Sequence, residues 1–227
     1  MVRRIGNSLL TIRKMDIHHV LADMRVNYTQ GILVENEAPI EPYSLFDLWL
    51  KDAKQRDSSS EPNAVCLATC VNNRPSNRIV LLKHYDRNGF VFFTNYNSRK
   101  GKELTQNPNA AMTFWWGQRQ VRVEGSVEKI DDSENDEYFY SRPKGSQIGA
   151  WASTQSSIID SRKVLDDNEK LYSQKFEKEE LKRPPHWGGF RLKPTQIEFW
   201  QGRPCRLHDR LLYTKKDDQW ERVRLAP

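Results

Sequence analysis

Three short runs of strand-forming residues, one directly after another, constrain the fold of this chain more than any other feature. Residues 64–71 (AVCLATCV), 76–85 (SNRIVLLKHY) and 90–95 (FVFFTN) have the length and the β-branched and aromatic content of strands. The connections between them, NNRP and DRNG, consist of residues that favour tight turns. Because strands joined by turns this short run in opposite directions, the sequence predicts an antiparallel meander.

The rest of the chain supplies further strands and several helices. Residues 110–116 and 119–130 have the pattern of a hairpin, and shorter strands are expected at 188–194, 196–202, 210–215 and 219–225. Six or more short strands predict a closed barrel, which leaves no exposed edge. Helices are expected over 17–28, from an N-cap at Ser44, over 98–107 before Pro108, over about 133–142, and over 160–178, whose apolar face carries Val164, Leu165, Leu171, Tyr172 and Phe176. The expected fold class is mainly β (α+β).

Composition excludes several classes of protein. Apolar residues form 37% of the 227 residues, and seven Trp, eight Tyr and nine Phe are spread along the chain, which argues against intrinsic disorder. Cys66 and Cys70 would lie roughly 13 Å apart in a strand, which excludes a disulfide framework. No apolar run reaches the ~20 residues that span a bilayer, so a cytoplasmic protein is expected. The first fourteen residues are basic and free of acids, which weakly resembles a mitochondrial presequence; a frayed terminus is the alternative.

Charge and motifs narrow the function. The net charge of +6 favours anionic partners, but the cations are dispersed among strand residues, so phosphorylated small molecules are expected and nucleic acid is not. No GxGxxG, GxxxxGK[ST], HExxH or GxSxG pattern occurs, which disfavours Rossmann, P-loop and hydrolase sites. The absence of a CxxC pair or Cys/His cluster leaves no expected metal site.

Two segments place cations at strand ends. In RIVLLK, Arg78 and Lys83 flank four apolar residues and point to opposite sides of a strand, where they could serve two different anions. In residues 93–100, hydroxyls, backbone N–H groups and two adjacent cations meet where a strand leads into a helix, which suits a phosphate. An ordinary strand with charged ends and a helix capped by Ser98 are the structural alternatives.

Two other groups combine cations with hydrogen-bonding side chains. Tyr138, Arg142 and Ser146 recur every four residues, and the proline after Arg142 biases it out of a helix. We therefore expect Arg142 and Ser146 in a loop, where they suit a phosphate monoester; a capped helix end is the alternative. If RLHDR (206–210) is extended, Arg206, His208 and Arg210 share one face, which indicates an anionic or electron-rich ligand.

At these residues the sequence resembles the pyridoxine 5'-phosphate oxidases, the FMN enzymes that make pyridoxal 5'-phosphate. The matching segments, in the same order and at nearly the same spacing, are RIVLLKHYD, FFTNYNSRKGKEL, RQVRVEG, YFYSRPKGSQIGAWASTQSS, WGGFRLKP, QIEFWQG, RLHDR and RLAP. The resemblance implies an FMN-binding split β-barrel with flanking helices and a homodimer with two FMN sites where the subunits meet. It also implies an N-terminal extension over 1–23 and a single domain over 24–227, in which about 184–227 carries dimerisation and active-site residues.

The resemblance also assigns residues to roles. The implied FMN contacts are Arg78, Ile79, Val80, Leu81, Leu82, Lys83, Phe93, Thr94, Arg99, Lys100, Gln120, Gln155, Ser156, Trp200 and Arg210. The implied substrate contacts are Lys83, Tyr138, Arg142, Ser146, Arg206 and His208, with Arg25 and Tyr28 on an N-terminal segment that closes over the site. Arg206 and His208 are the implied catalytic residues. They orient the C4' substituent and ease its proton loss, with either of them as the base, while hydride passes from C4' to flavin N5. O2 then reoxidises the flavin to give H2O2, with ammonia released from the amine substrate.

Two departures from the family pattern leave alternatives open. Only Gly117 and Gln118 separate Trp116 from Arg119, a connection about two residues shorter than in the family, and Cys205 stands where a polar residue is usual. The shorter hairpin could alter the flavin edge near Gln120 or a subunit contact. A non-catalytic paralogue that binds FMN or pyridoxal phosphate, or a split-barrel flavin reductase that needs NAD(P)H, are the alternative functions.

Overall fold

The computed structural model describes residues 26–56 and 61–227, together with Leu21 and Met24. Its strands are β1 (Ala64–Val71), β2 (Arg74–Asp86), β3 (Gly89–Asn95), β4 (Asn109–Trp116), β5 (Arg119–Lys129), β6 (Trp187–Gln201), β7 (Asp209–Lys216) and β8 (Gln219–Arg224). Its helices with defined bounds are α1 (Pro42–Arg56), α2 (Arg99–Gln106), α3 (Asp132–Ser141), α4 (Lys144–Ala152) and α5 (Arg162–Lys178). No helix in these described ranges is both long and apolar enough to cross a membrane.

Six of the strands close into an antiparallel barrel. The order β3-β2-β1-β4-β5-β6 is completed by pairing of β3 with β6, so each of the six strands has two neighbours. Strands β7 and β8 continue the sheet beyond β6. The predicted meander of β1, β2 and β3, the hairpin of β4 and β5, and the closed barrel are all confirmed.

Strand β6 is one continuous strand, and the prediction of two separate strands in this region was wrong. Its first half, 187–192, pairs with β3, while its second half, 196–201, pairs with β7. Between these halves Thr195 is an extra residue in the pairing with β5, because Gly125 faces Pro194 and Glu124 faces Gln196. This bulge bends the strand without ending it, so β6 belongs both to the barrel and to the sheet beyond it.

The barrel is filled by aromatic side chains and closed by α1. Phe46 of α1 is fully buried, and its ring meets those of Phe90 and Phe114 edge to face, with centroids 5.0 and 5.1 Å apart. The helix begins at Pro42, two residues before the predicted N-cap, and the Ser44 N–H donates to the Glu41 carbonyl. Proline suits the first turn because its missing N–H would have no partner there.

The segment after α3 differs from the sequence prediction. Arg142 is extended, with φ −77° and ψ 151°, as expected for a residue before proline. Ser146, however, lies in the first turn of α4 and not in a loop. Pro143 explains both results, because it cannot continue α3 and its φ of −54° suits the start of a new helix.

Four other predictions have different outcomes. The helix expected over 17–28 lies mostly outside the described residues, and 26–28 have no regular secondary structure. In α5 only Phe176 of the predicted apolar face is buried, and Leu171 is exposed. The three cysteines are free, as predicted. The division into an N-terminal extension and one domain stays a prediction.

Candidate active site

A large cavity lies against the barrel wall, and helices α3 and α4 cover it. Its volume is about 670 Å³, within the range of small-molecule sites. The lining residues are Ile79, Val80, Leu81, Lys83, Phe93, Thr94, Asn95, Lys100, Tyr138, Arg142, Pro143, Ser146, Gly149, Ala150, Ser153, Gln155 and Trp187. Three of these are cations and none is an Asp or Glu, so the cavity favours an anion.

A stack of aromatic rings forms one wall of this cavity. The rings of Phe93 and Tyr138 lie 4.0 Å apart at 27°, and those of Phe93 and Trp187 lie 5.3 Å apart at 16°. The guanidinium of Arg142 lies over the Trp187 ring, 4.6 Å from its centroid. Strand β3, helix α3 and the start of β6 thus each contribute a flat surface to the same wall.

Arg142 is the most unusual polar group in the cavity. Its Nη1 atom is buried and has no hydrogen-bond partner within the part of the chain that the structure describes. Burial lowers the pKa of Arg142, since desolvation disfavours its charged form. A guanidinium has five N–H donors and needs acceptors when it is buried. Its free donor therefore points to an anionic ligand.

A second cation lies at the other polar edge of the cavity. Lys100 Nζ lies 3.2 Å from Thr94 Oγ1 and 3.4 Å from Gln155 Oε1. Burial, followed by the nearby charge of Arg78, lowers the pKa of Lys100. Ser98 caps α2 by accepting the Gly101 N–H at 3.2 Å, so the capping interpretation of this serine is confirmed.

The two cations of β2 separate as predicted. Arg78 turns away from the cavity and binds Glu103 at 2.8 Å and Thr69 at 2.7 Å. Lys83 lies in a bulge, because Leu82 pairs with Phe92 and His84 with Val91, and its side chain lines the cavity. Bulges commonly redirect a side chain next to a binding site.

Several predicted site residues lie elsewhere, in a group that we call the Trp200 cluster: Tyr28, Trp115, Trp200 and His208. Ring centroids within it are 4.6 Å apart for Trp200 and His208, 5.7 Å for Tyr28 and Trp200, and 5.9 Å for Trp115 and Trp200. None of the four lines the cavity. Gln120 lies beside this cluster, since it pairs with Trp200 across β5 and β6.

The segment before β7 is not extended throughout, so the single face expected for Arg206, His208 and Arg210 does not form. Cys205 and Arg206 have φ of 55° and 61° in a short 3-10 turn, the left-handed region that side chains with a Cβ rarely adopt. Such backbone strain is concentrated at functional sites. Arg210, in β7, binds Glu198 at 2.8 Å.

His208 has a defined protonation state in this turn. Its Nδ1 accepts the Arg203 N–H at 3.0 Å, so the neutral ring carries its proton on Nε2. Burial, followed by the charge of Arg206, lowers the pKa of His208, against the opposing effect of Asp209. The lowered pKa favours the neutral ring, which offers Nε2–H as a donor.

The structure thus divides the predicted site residues into those it brings together and those it does not. The cavity contains Ile79, Val80, Leu81, Lys83, Phe93, Thr94, Lys100, Tyr138, Arg142, Ser146 and Gln155. Outside it lie Tyr28, Arg78, Leu82, Arg99, Gln120, Ser156, Trp200, Arg206, His208 and Arg210. Leu82 is part of the core, Arg99 binds Glu103, and Ser156 has φ 73° in an exposed loop. Arg25 lies outside the described residues.

The sequence analysis assigned no role to other lining residues, above all Ser153 and Trp187, while Asn95 lies in the strand end that it predicted to suit a phosphate. Trp187 stands directly before the two glycines of WGGF, where an aromatic residue could have been noticed at the start of a strand. Its contact with Arg142 joins residues 45 positions apart, and no local pattern reports such a contact.

Two protein-family descriptions match the chain. The one described as "Pyridoxamine 5'-phosphate oxidase" matches residues 52–201, and the one described as "Pyridoxine 5'-phosphate oxidase C-terminal dimerisation region" matches residues 187–227. Relatives named pyridoxine/pyridoxamine 5'-phosphate oxidase, from Synechocystis sp. and Burkholderia mallei, are each 54% identical to this chain. Each alignment covers 91% of this chain, and the two cover 98% and 99% of the relatives.

Solved structures with the same fold include two informative neighbours. PhzG from Burkholderia lata, in complex with tetrahydrophenazine-1-carboxylic acid, has a TM-score of 0.80 at 31% identity and covers 88% of this chain and 100% of that chain. A pyridoxamine 5'-phosphate oxidase-related, FMN-binding protein from Nostoc punctiforme has a TM-score of 0.65 at 19% identity, over 84% of this chain and 100% of that chain, and shows a shared fold. With the sequence matches over most of its length, the chain belongs to the pyridoxamine 5'-phosphate oxidase family.

Proposed function

We propose that this chain is an FMN-dependent oxidase that converts pyridoxine 5'-phosphate and pyridoxamine 5'-phosphate to pyridoxal 5'-phosphate. The observation that carries the proposal is Nη1 of Arg142, which is buried and has no hydrogen-bond partner among the described residues, in a cavity lined by cations and by no acid. The relatives that are 54% identical carry the name of this activity, which supports the same assignment.

Four side chains hold the substrate phosphate in this proposal: Lys83, Tyr138, Arg142 and Ser146, all of which line the cavity. Arg142 offers the fork of donors that matches a phosphate, while the phenol and the hydroxyl add single hydrogen bonds. The aromatic wall that holds Arg142 also offers a flat apolar surface next to the phosphate position.

The remaining cavity residues fit FMN. Lys100, with Thr94 and Gln155 within 3.4 Å of its Nζ, is a desolvated cation beside hydrogen-bonding groups, as the phosphate of a flavin nucleotide requires. Ile79, Val80, Leu81 and Lys83 of β2 line the same cavity. When bound, FMN would supply the redox chemistry, a two-electron oxidation of the substrate with O2 as the final acceptor, which would be reduced to H2O2.

We further propose that a second copy of the chain completes the site. Gln120, Trp200, Arg206, His208 and Arg210 belong to the same site by family resemblance, yet they lie outside the cavity of their own chain. Large apolar side chains are exposed at both places, Ile79 at the cavity and Trp115 in the Trp200 cluster. Exposed apolar groups of this kind often mark an interface, and a matching family description names a dimerisation region.

Arg206 and His208 then act on the part of the substrate that reacts. Because Nδ1 of His208 is occupied by the Arg203 N–H, the neutral ring donates from Nε2. This arrangement suits holding the C4' oxygen or nitrogen in place and does not suit removing its proton. Arg206, on a strained backbone and exposed, is placed to contact the same substituent. Holding the substrate in a reactive orientation can lower the activation barrier by several kcal/mol, on the order of the effects of well-positioned groups.

The test is to incubate the purified protein with pyridoxine 5'-phosphate in air and to measure the aldehyde and H2O2. Pyridoxine without the phosphate is the matched control substrate, because it lacks the group that Arg142 would bind. Equal turnover of pyridoxine 5'-phosphate and pyridoxine would contradict the proposal that Arg142 binds the substrate phosphate.

The same preparation distinguishes the alternatives. A yellow protein that forms neither aldehyde nor H2O2 would be a binding paralogue. Bleaching of the flavin by NAD(P)H without a pyridoxine substrate would indicate a flavin reductase.

A further inference from the structure

We propose that Gln118, in the short turn between β4 and β5, is a positioning residue that holds Tyr28 in the Trp200 cluster. It acts through the N-terminal strap, which we define as residues 26–35. The inference rests on the proposed function and on the family resemblance, which implies that Tyr28 contacts the substrate. This inference gives a role to the turn between Trp116 and Arg119, which is shorter than the corresponding turn in the family.

The two halves of the strap are held by different groups. In the second half, the Leu33 N–H donates to Asp209 at 3.1 Å, and Arg224 donates to the Leu33 carbonyl at 2.9 Å and binds Glu35. Leu33 itself is buried in the core. This half is therefore anchored to the barrel independently of the turn.

The first half depends on one side-chain oxygen. Oε1 of Gln118 accepts the N–H groups of both Thr29, at 2.8 Å, and Gln30, at 3.0 Å. Within the described residues, these are the only hydrogen bonds made by backbone groups of 28–31. A further hydrogen bond in this half joins two side chains: Arg56 donates to Gln30 at 2.9 Å. A single amide oxygen has two lone pairs, so one Gln can fix two consecutive peptide groups.

Gln118 is itself fixed by the end of β6. Its carbonyl accepts the Gly202 N–H at 2.8 Å and Nε2 of Gln201 at 3.2 Å, and Gln201 is fully buried. These two hydrogen bonds hold the backbone of Gln118 in place. Its side chain therefore reaches the strap from a defined position.

The same corner receives the Tyr28 ring. A Cβ on Gly202 would lie 2.7 Å from Cγ of Tyr28, so only glycine leaves room for the ring there. Tyr28 then meets Trp200 edge to face and lies beside His208, at 5.7 and 5.8 Å between centroids. The turn, Gly202 and the strap together place a phenol next to the proposed catalytic histidine.

The test compares Gln118→Ala, Gln118→Glu and Gln219→Ala. Glutamate keeps an acceptor oxygen at position 118, and Gln219 is an exposed glutamine on β8, so its variant is the matched control. We expect Gln118→Ala to raise KM for pyridoxine 5'-phosphate about tenfold, because Tyr28 would no longer be held where it contacts the substrate. A tenfold change corresponds to about 1.4 kcal/mol, the size of one hydrogen-bonded contact. The values of kcat and of FMN affinity should stay unchanged. Gln118→Glu should restore most of the loss, and Gln219→Ala should behave as wild type.

Coupling to Tyr28 is the second readout. If Gln118 acts through Tyr28, the double variant Gln118→Ala/Tyr28→Ala has the same KM as Tyr28→Ala alone. Additive losses in the double variant, or a wild-type KM for Gln118→Ala, would overturn the inference.

Hydrogen exchange tests the strap without using activity. The amides of Thr29 and Gln30 should exchange about tenfold faster in Gln118→Ala than in wild type or Gln118→Glu. Unchanged exchange would overturn the inference while leaving the proposed function intact. If the wild-type protein does not oxidise pyridoxine 5'-phosphate, the proposed function fails, and the exchange rates still decide whether Gln118 holds the strap.

Discussion

At the scale of single residues, Arg142 shows that a binding group can oppose folding. Its Nη1 is buried without a hydrogen-bond partner in the described structure, and such a group carries the free-energy penalty of lost hydration. The contact with Trp187 offsets part of this penalty through the flat face of the guanidinium. Ligand binding would remove the rest by supplying acceptors.

A substitution at Arg142 should therefore separate stability from activity. We expect Arg142→Met to raise the free energy of unfolding of the ligand-free protein by about 1 kcal/mol, because methionine keeps the apolar contact and leaves no unpaired donor. The same variant should raise KM for the phosphorylated substrate about a hundredfold, on the order of a lost charge-assisted hydrogen bond. Urea unfolding and steady-state kinetics measure the two effects. Arg162→Met, on the exposed face of α5, is the control, and a destabilised Arg142→Met would contradict the argument.

His208 sets a pH dependence at the same scale. Since the folded pKa of His208 lies below its usual value of about 6.5, the unfolded chain binds the proton more readily, and stability from the neutral ring is present above about pH 6.5 and lost as the pH falls below it. A protonated Nδ1 would also face the Arg203 N–H, donor against donor.

We therefore expect kcat/KM to fall on the acid side with an apparent pKa below about 6.5, measured from rates between pH 5 and 8. His208→Asn should abolish this acid limb, while His84→Asn, at an exposed histidine, should keep it. An unchanged limb in His208→Asn would assign the titration to another group.

At the scale of elements, one buried side chain joins α3 to the barrel. Oδ1 of Asn135 accepts the Gly189 N–H of β6 at 2.7 Å, and its Nδ2 donates to the Ile130 carbonyl at 3.3 Å. Asn135 is almost fully buried, so these backbone groups have no water to replace it. The helix that this joint holds carries Tyr138 and leads into Arg142.

Removing the joint should loosen the whole element. We expect Asn135→Ala to lower the free energy of unfolding by about 2 kcal/mol, because a buried N–H loses its acceptor. Urea unfolding should show a lower midpoint with an unchanged slope. Glu137→Ala, at an exposed position of the same helix, is the control and should stay within about 0.5 kcal/mol of wild type. Equal stability of the two variants would show that the joint is not needed.

At the scale of the whole molecule, the separation of the cavity from the Trp200 cluster predicts complementation between subunits. At a substrate concentration far below the raised KM, Arg142→Met leaves the cavity side without measurable activity, and Arg206→Ala does the same for the other side of the proposed shared site. In a two-fold symmetric dimer, half of the molecules in an equal mixture are mixed dimers, and each has one intact site.

Exchanging subunits between the two inactive variants should therefore restore about a quarter of wild-type activity, measured by aldehyde formation after refolding the chains together. Refolding each variant with itself is the control and should restore none. No recovery in the mixture would mean that both residues act within one chain.

Local sequence patterns were enough to predict the strands of the barrel and to indicate that its cations bind anions. Alternating strands and turn residues are local patterns, so the meander from Ala64 to Asn95 and the hairpin of β4 and β5 were predictable. Local sterics likewise placed Arg142 outside α3, because proline restricts the residue before it. The assignment of residues to one site came from family resemblance and not from these patterns.

The contacts between the strands, helices and cations could be seen only in the packed chain. A bulge at Thr195 makes β6 continuous, and it depends on pairing with β5, a strand more than 60 residues earlier. Nη1 of Arg142 is buried without a hydrogen-bond partner in the described structure because residues of α3, α4 and β6 surround it. The oxygen of Gln118 meets the backbone of Thr29 across 89 positions of sequence. Burial and long-range contact are properties of the packed chain, because they depend on every element that surrounds a group, and a local pattern carries no record of them.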